Sequence, residues 1–134
     1  MVKPVFFGLL AFFVILALFA IVIGSHTPAG AMAVGEPGWR EQHDQLIAIS
    51  TVKLLTVAGW FVSSLCGGLV AGLLAGGRCL RASAYLGGII ILLWAVPSSI
   101  ILGAAIGWVH MASIAAVIVG STTGGVLARY FRKA

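Results

Sequence analysis

The chain has 134 residues, 61% of them hydrophobic and 8% charged, with a mean hydropathy of +1.17. A soluble domain carries roughly 25% charged residues, so a water-covered globule is excluded. The formal charge of +5 does not point to nucleic acid either, because the cations flank apolar runs rather than sharing one polar face.

Backbone amides in hydrocarbon have no water to bond, and a chain this short and non-alternating cannot close a barrel. The expectation is an all-α integral membrane four-helix bundle, a single transmembrane domain over 1–134. Lys3 opens it, and Pro4 to Gly24 follow without a charge, rich in Phe6, Phe7, Phe12, Phe13, Ile15, Leu16 and Leu18. This bulky first span covers 4–24. Lys3, the apolar run and Ala31-Met32-Ala33 also imitate a signal peptide. At about 21 residues the run exceeds the usual 7 to 15 of a cleaved signal, so it is read as a retained span; removal of the segment through Ala33 would leave three helices.

Thr27-Pro28-Ala29-Gly30 and Glu36-Pro37-Gly38 are turn signals in a polar outer loop over 25–51. Within that loop Glu36 and Arg40, and Arg40 and Asp44, are four apart, and Trp39, Leu46 and Ile47 can share a face. That pattern suits a polar helical turn at the bilayer surface. The second span is placed at 52–77, with Lys53 near enough to its outer end to snorkel toward headgroups.

Arg78-Cys79-Leu80-Arg81 is a tight basic connector, after which residues 82–128 hold no Asp, Glu, Lys or Arg. At 1.5 Å per residue and a core of about 30 Å, this stretch makes two helices of about 20 residues and a turn. The spans are set at 82–104 and 109–128, with the turn between Gly103 and His110, near Trp108, and with Pro97 as a kink. Lys3, Arg78, Arg81, Arg129, Arg132 and Lys133 then anchor one side, against Arg40 and Lys53 on the other. By the excess of Lys and Arg, both termini are expected in the cytoplasm.

Small residues recur at helical spacing. The second span carries Ser64, Gly68, Gly72 and Gly76; the third Ser99, Gly103 and Gly107; the fourth Ala112, Ala116, Gly120, Gly124 and Ala128. Spacing of four puts each set on one face, where a neighbouring backbone can approach closely. The simplest packing joins these three helices and leaves the first facing lipid; a homo-oligomer interface is the other use of such faces. Ser64 to Ala71 and Ser121 to Ala128 also match at four of eight positions, each ahead of an Arg-x-x-Arg. The match raises an arrangement of two parallel helical hairpins.

Chemistry is sparse. All three acids, Glu36, Glu41 and Asp44, fall in the outer loop, so no embedded carboxylate is available for coupled transport. Ser63, Ser64, Ser98, Ser99, Ser121, Thr122 and Thr123 could line an ion path, but helix–helix hydrogen bonding is the plainer reading. His26, His43 and His110 are expected on the outer side, without a ligand spacing that would hold a metal. Cys66 reads as a small packing residue and Cys79 as a free thiol. No nucleophile, base and orienting acid can be set at one depth, and no phosphate loop is present, so no enzyme activity and no cofactor are expected.

The closing Gly124-Gly125-Val126-Leu127-Ala128-Arg129-Tyr130 resembles, over seven residues, the glycine-rich Arg-Tyr signature of the small four-helix fluoride channels. In that family the motif belongs to the first helix, with a different glycine spacing, and is accompanied by a membrane Asn and a Phe-rich box. This chain has no Asn, so the resemblance carries no function across.

The expected function is that of an accessory, assembly or scaffold component of a bacterial-type inner membrane, working through helix contacts. Its expected partners are the lipid bilayer and either further copies or a larger membrane protein, with no nucleic acid. A small oligomeric channel or uncoupled transporter is the second reading and a holin-like permeabiliser the third.

Overall fold

The computed structural model describes the backbone of residues 1–25, 35–48, 50–101 and 108–134, and their side chains except at 43, 46–48, 50 and 95–101. The described elements are five α-helices: α1 (Val2–Gly24), α2 (Trp39–Ala48), α3 (Ser50–Leu74), α4 (Cys79–Ile101) and α5 (Trp108–Phe131), with a 3-10 turn at Gly76–Arg78. No strand occurs among the described residues. Among the described residues four segments are long and apolar enough to cross a bilayer: Val2–Gly24, Thr51–Leu74, Gly76–Trp94 and Trp108–Phe131. That is the architecture of a membrane protein.

The helices form where the apolar runs lie, but their ends are set by local chemistry. Pro4 falls in the first turn of α1, where a missing N–H costs nothing. The sequence reading carries the second span to Gly77, whereas α3 stops at Leu74. Gly76 adopts φ +65°, the left-handed conformation that ends a helix without a Cβ clash. The Ala75 N–H still donates to the Ala71 carbonyl, and the Arg78 N–H to that of Ala75. The Cys79 thiol donates to the Gly76 carbonyl at 2.8 Å, and α4 begins at once, three residues earlier than position 82.

At its other end α4 runs through Pro97 to Ile101. The turn placed between Gly103 and His110 falls largely outside the described residues, as do Gly103 and Gly107 themselves and the side chains of Ser98 and Ser99. So do His26 and Ala31-Met32-Ala33. Within the expected outer loop, Trp39–Ala48 is indeed helical.

The packing alternates in direction. Gly8 of α1 lies against Gly67 and Ala71 of α3, and Phe19 against Gly59, so α1 and α3 are antiparallel. Ser83 of α4 meets Gly68 and Trp94 meets Trp60, so α4 is antiparallel to α3 as well. Gly120 and Gly124 of α5 follow Phe61, Ser64 and Gly68 in the same order along the chain, which makes α5 parallel to α3. Contacts among Val5, Phe12, Ala71, Ala82, Leu86, Ile90 and Val117 form the core. In lipid this core is held by dispersion and interhelical hydrogen bonds rather than by exclusion of water.

α1 contributes only Val5, Gly8 and Phe12 as buried residues, a narrow stripe at helical spacing. Phe6, Phe7, Leu10, Phe13, Val14, Leu18, Ile21 and Val22 face outward. α4 packs against both α3 and α5, while α1 packs against α3 and the edge of α4.

Candidate functional site

Two regions gather the residues on which a function could rest: the seam between α3 and α5, and the end of the bundle where α3, α4 and α5 meet the chain terminus.

The seam is a backbone-to-backbone contact. A methyl placed on Gly68 would sit 2.5 Å from the carbonyl oxygen of Ser121, and one on Gly120 would sit 2.6 Å from that of Phe61. Gly124 is tighter still, against Leu65, Gly68 and Leu69. At Gly72 the corresponding neighbour is the Ala128 side chain at 2.6 Å. Ser64, Gly68, Gly72, Ala116, Gly120, Gly124 and Ala128 are all buried. Gly76 stands apart from them, although its spacing continues the series. It lies in the connector, half-buried, with the Arg132 guanidinium as its nearest neighbour, because its left-handed backbone has already left the helix.

Two contributors escaped the sequence reading. On α4 a small face runs along Cys79, Ala82, Ser83 and Gly87, whereas the expected series of Ser99, Gly103 and Gly107 lies outside the described side chains. A methyl on Gly87 would sit 2.5 Å from the Ser121 hydroxyl, and Ser83 donates across to the Gly68 carbonyl at 2.9 Å as well as to Cys79 of its own helix. The four-residue step from Cys79 to Ser83 to Gly87 was the available signal. On α1, Gly8 is a single small residue rather than a ladder, yet it lets α1 come within backbone distance of Gly67.

The described hydroxyls of the spans are mostly spent on their own helices. Ser64 donates to Trp60, Ser113 to Val109, Ser121 to Ile118 and Thr122 to Ile118. Ser63 is fully buried, and among the described residues its hydroxyl has no partner. Near the opposite end an aromatic file runs from Phe12 through Trp60 and Trp94 to His110, with ring centroids 5.7, 6.5 and 5.9 Å apart. Lys53 lies 5.8 Å from the Trp108 ring centre, within cation–π reach. The void beside Trp60 and Trp94 is about 10 Å³, at most a single water's space.

The second region is a cleft of about 590 Å³ lined by Gly77, Arg78, Cys79, Leu80, Arg81, Arg129, Arg132 and Lys133. The antiparallel course of α1 and α3 brings Lys3 to the same end. Five of the six expected topology anchors thus share one concavity.

No known protein family, curated protein or solved structure matches this chain. The functional reading therefore rests on these two regions.

Proposed function

We propose that this is a small non-enzymatic protein of a bacterial-type inner membrane that serves as an accessory, assembly or scaffold component through helix contacts. The observation that carries the reading is the closed seam. α3 and α5 meet at backbone distance from Phe61 and Gly120 to Gly72 and Ala128, which leaves no lumen between them over that stretch. Around this rigid pair, α1 presents large apolar side chains outward along most of its length, a surface suited to lipid or to another membrane helix. The cationic end facing the cytoplasm sets both termini inside. The hydroxyls of Ser64, Ser121 and Thr122 favour this reading too, since they serve backbone carbonyls of their own helices.

Crosslinking of native membranes followed by mass spectrometry tests the proposal, with crosslinks from the termini or α2 to one recurring larger membrane protein as the expected result. Selective, reproducible ion or solute flux through liposomes holding the purified protein alone would overturn it in favour of a channel.

A further inference from the structure

The cations at the end of the bundle do more than topology requires. Sidedness needs Lys and Arg on one face of the membrane, at any lateral position. Here two sequence segments bring them together: Arg78 and Arg81 come from the connector and the first turn of α4, and Arg129, Arg132 and Lys133 from the end of α5. The left-handed turn at Gly76 makes this possible. It folds the connector back so that the Gly76 backbone lies beside the Arg132 guanidinium, and neighbouring Gly77 presents bare backbone with nothing packed over it.

Among the described residues no acidic side chain lies at this end to balance the charge. The only acids of the chain are Glu36, Glu41 and Asp44, all in or beside α2, at the end where α3 begins. Among the described residues no ion pair engages Arg78, Arg81, Arg129, Arg132 or Lys133. Helix carbonyl ends of α3 and α5 offset part of the repulsion, but five like charges around one cleft call for an anion. Four of the five are arginines, whose planar forks match the oxygens of a phosphate two at a time.

The surroundings identify the carrier of that phosphate. The cleft opens where α5 leaves its apolar span, and Tyr130 and Phe131, edge to face at 6.2 Å and both exposed, stand at that level as interfacial aromatics do. Leu80 lies exposed within the cleft lining, and Leu73 and Leu74 are exposed just before the connector. A headgroup held by the arginines would have its acyl chains continue against apolar surface, an arrangement that a free phosphate would not use.

We propose that this cleft is a binding site for the phosphate headgroup of an anionic phospholipid. Arg78, Arg81, Arg129 and Arg132 bind phosphate oxygens, Lys133 adds charge, and Leu80 supports the start of an acyl chain. The inference is independent of the accessory role, since a channel could carry the same lipid.

Native mass spectrometry of the detergent-purified full chain tests it, with phosphatidylglycerol, cardiolipin and phosphatidylcholine as probes, each at matched concentration. In detergent, loss of cations cannot confuse binding with reversed insertion. The native chain should retain phosphatidylglycerol or cardiolipin at least about tenfold better than phosphatidylcholine. The single variants R81Q and R132Q should each weaken that retention roughly fivefold, as expected for one cation near an anionic headgroup. The triple variant R81Q/R129Q/R132Q should abolish the preference, whereas R40Q/K53Q at the opposite end should keep it. Circular dichroism confirms that each variant remains helical, and the two single variants carry the test if the triple one unfolds. Equal retention of anionic and zwitterionic lipid, or retention unaffected by R81Q and R132Q, would overturn the proposal. So would inorganic phosphate binding the native chain and displacing phosphatidylglycerol at equal concentration, which would assign the cleft to a soluble anion.

Discussion

Gly68 offers the sharpest test of how the bundle is held. Its hydrogen faces the Ser121 carbonyl, and a methyl in its place would sit 2.5 Å from that oxygen, well inside the roughly 3.4 Å of ordinary contact. Because the obstacle is backbone, no side chain can swing away. α3 and α5 must separate by about an ångström, a form of overpacking that costs about 1–3 kcal/mol. Against this, alanine gains about 1 kcal/mol over glycine in helix propensity, so G68A should lose about 0–2 kcal/mol net. Gly88 supplies the internal reference, since it lies in α4 with nothing within 4 Å of the added carbon. There the propensity term acts alone, and G88A should be unchanged or more stable by up to about 1 kcal/mol. The difference between the two variants therefore isolates the seam, at about 1–3 kcal/mol. Titration with a denaturing detergent from mild micelles, followed by tryptophan fluorescence, would measure it, because Trp60 and Trp94 meet edge to face between α3 and α4. If G68A and G88A melt alike, the close approach of α3 and α5 is wrong.

Two other substitutions probe separate parts of the argument. S83A should remove the hydrogen bond that ties α4 to the Gly68 carbonyl and lower stability in the same titration by about 0.5–1.5 kcal/mol, with no change beyond a few tenths counting against an interhelical bond. For orientation, single cysteines introduced as E41C and K133C, in a background where Cys66 and Cys79 are replaced by alanine, should react with a membrane-impermeant thiol reagent from opposite sides of intact cells. Labelling of E41C alone in whole cells, and of K133C only after the membrane is opened, is the expected pattern; the reverse would invert the topology.

The number and course of the spans were legible in residues because hydrocarbon leaves the backbone one economical solution, and runs such as Pro4 to Gly24 have no other. The stretch from Trp39 to Ala48 was likewise readable from charges four apart. Ends were harder to read, since a helix stops where one residue changes its backbone angle, and Gly76 looks in sequence like another rung of the Gly68 and Gly72 series. Small residues could be listed from sequence, but their partners could not. Whether a glycine approaches a backbone, a side chain or nothing depends on the rotation of two helices about their axes, which is how Gly68 and Gly88 come to differ.

Composition and spacing by themselves determined that this chain is helical, apolar enough for a bilayer and biased in charge toward one end, because these properties follow from residue type and sequence distance. Tertiary structure alone decided that α3 and α5 meet in backbone contact, that Ser83 rather than a hydroxyl of the α3 ladder bridges two helices, and that Gly8 seats α1. It alone drew Arg78, Arg81, Arg129, Arg132 and Lys133 into one cleft. Apart from the Ser83 bond to Gly68, 15 positions away, those outcomes join residues some 50 or more positions apart, and only the packing of helix on helix, where dispersion rewards the closest fit, brings such residues within reach of one ligand.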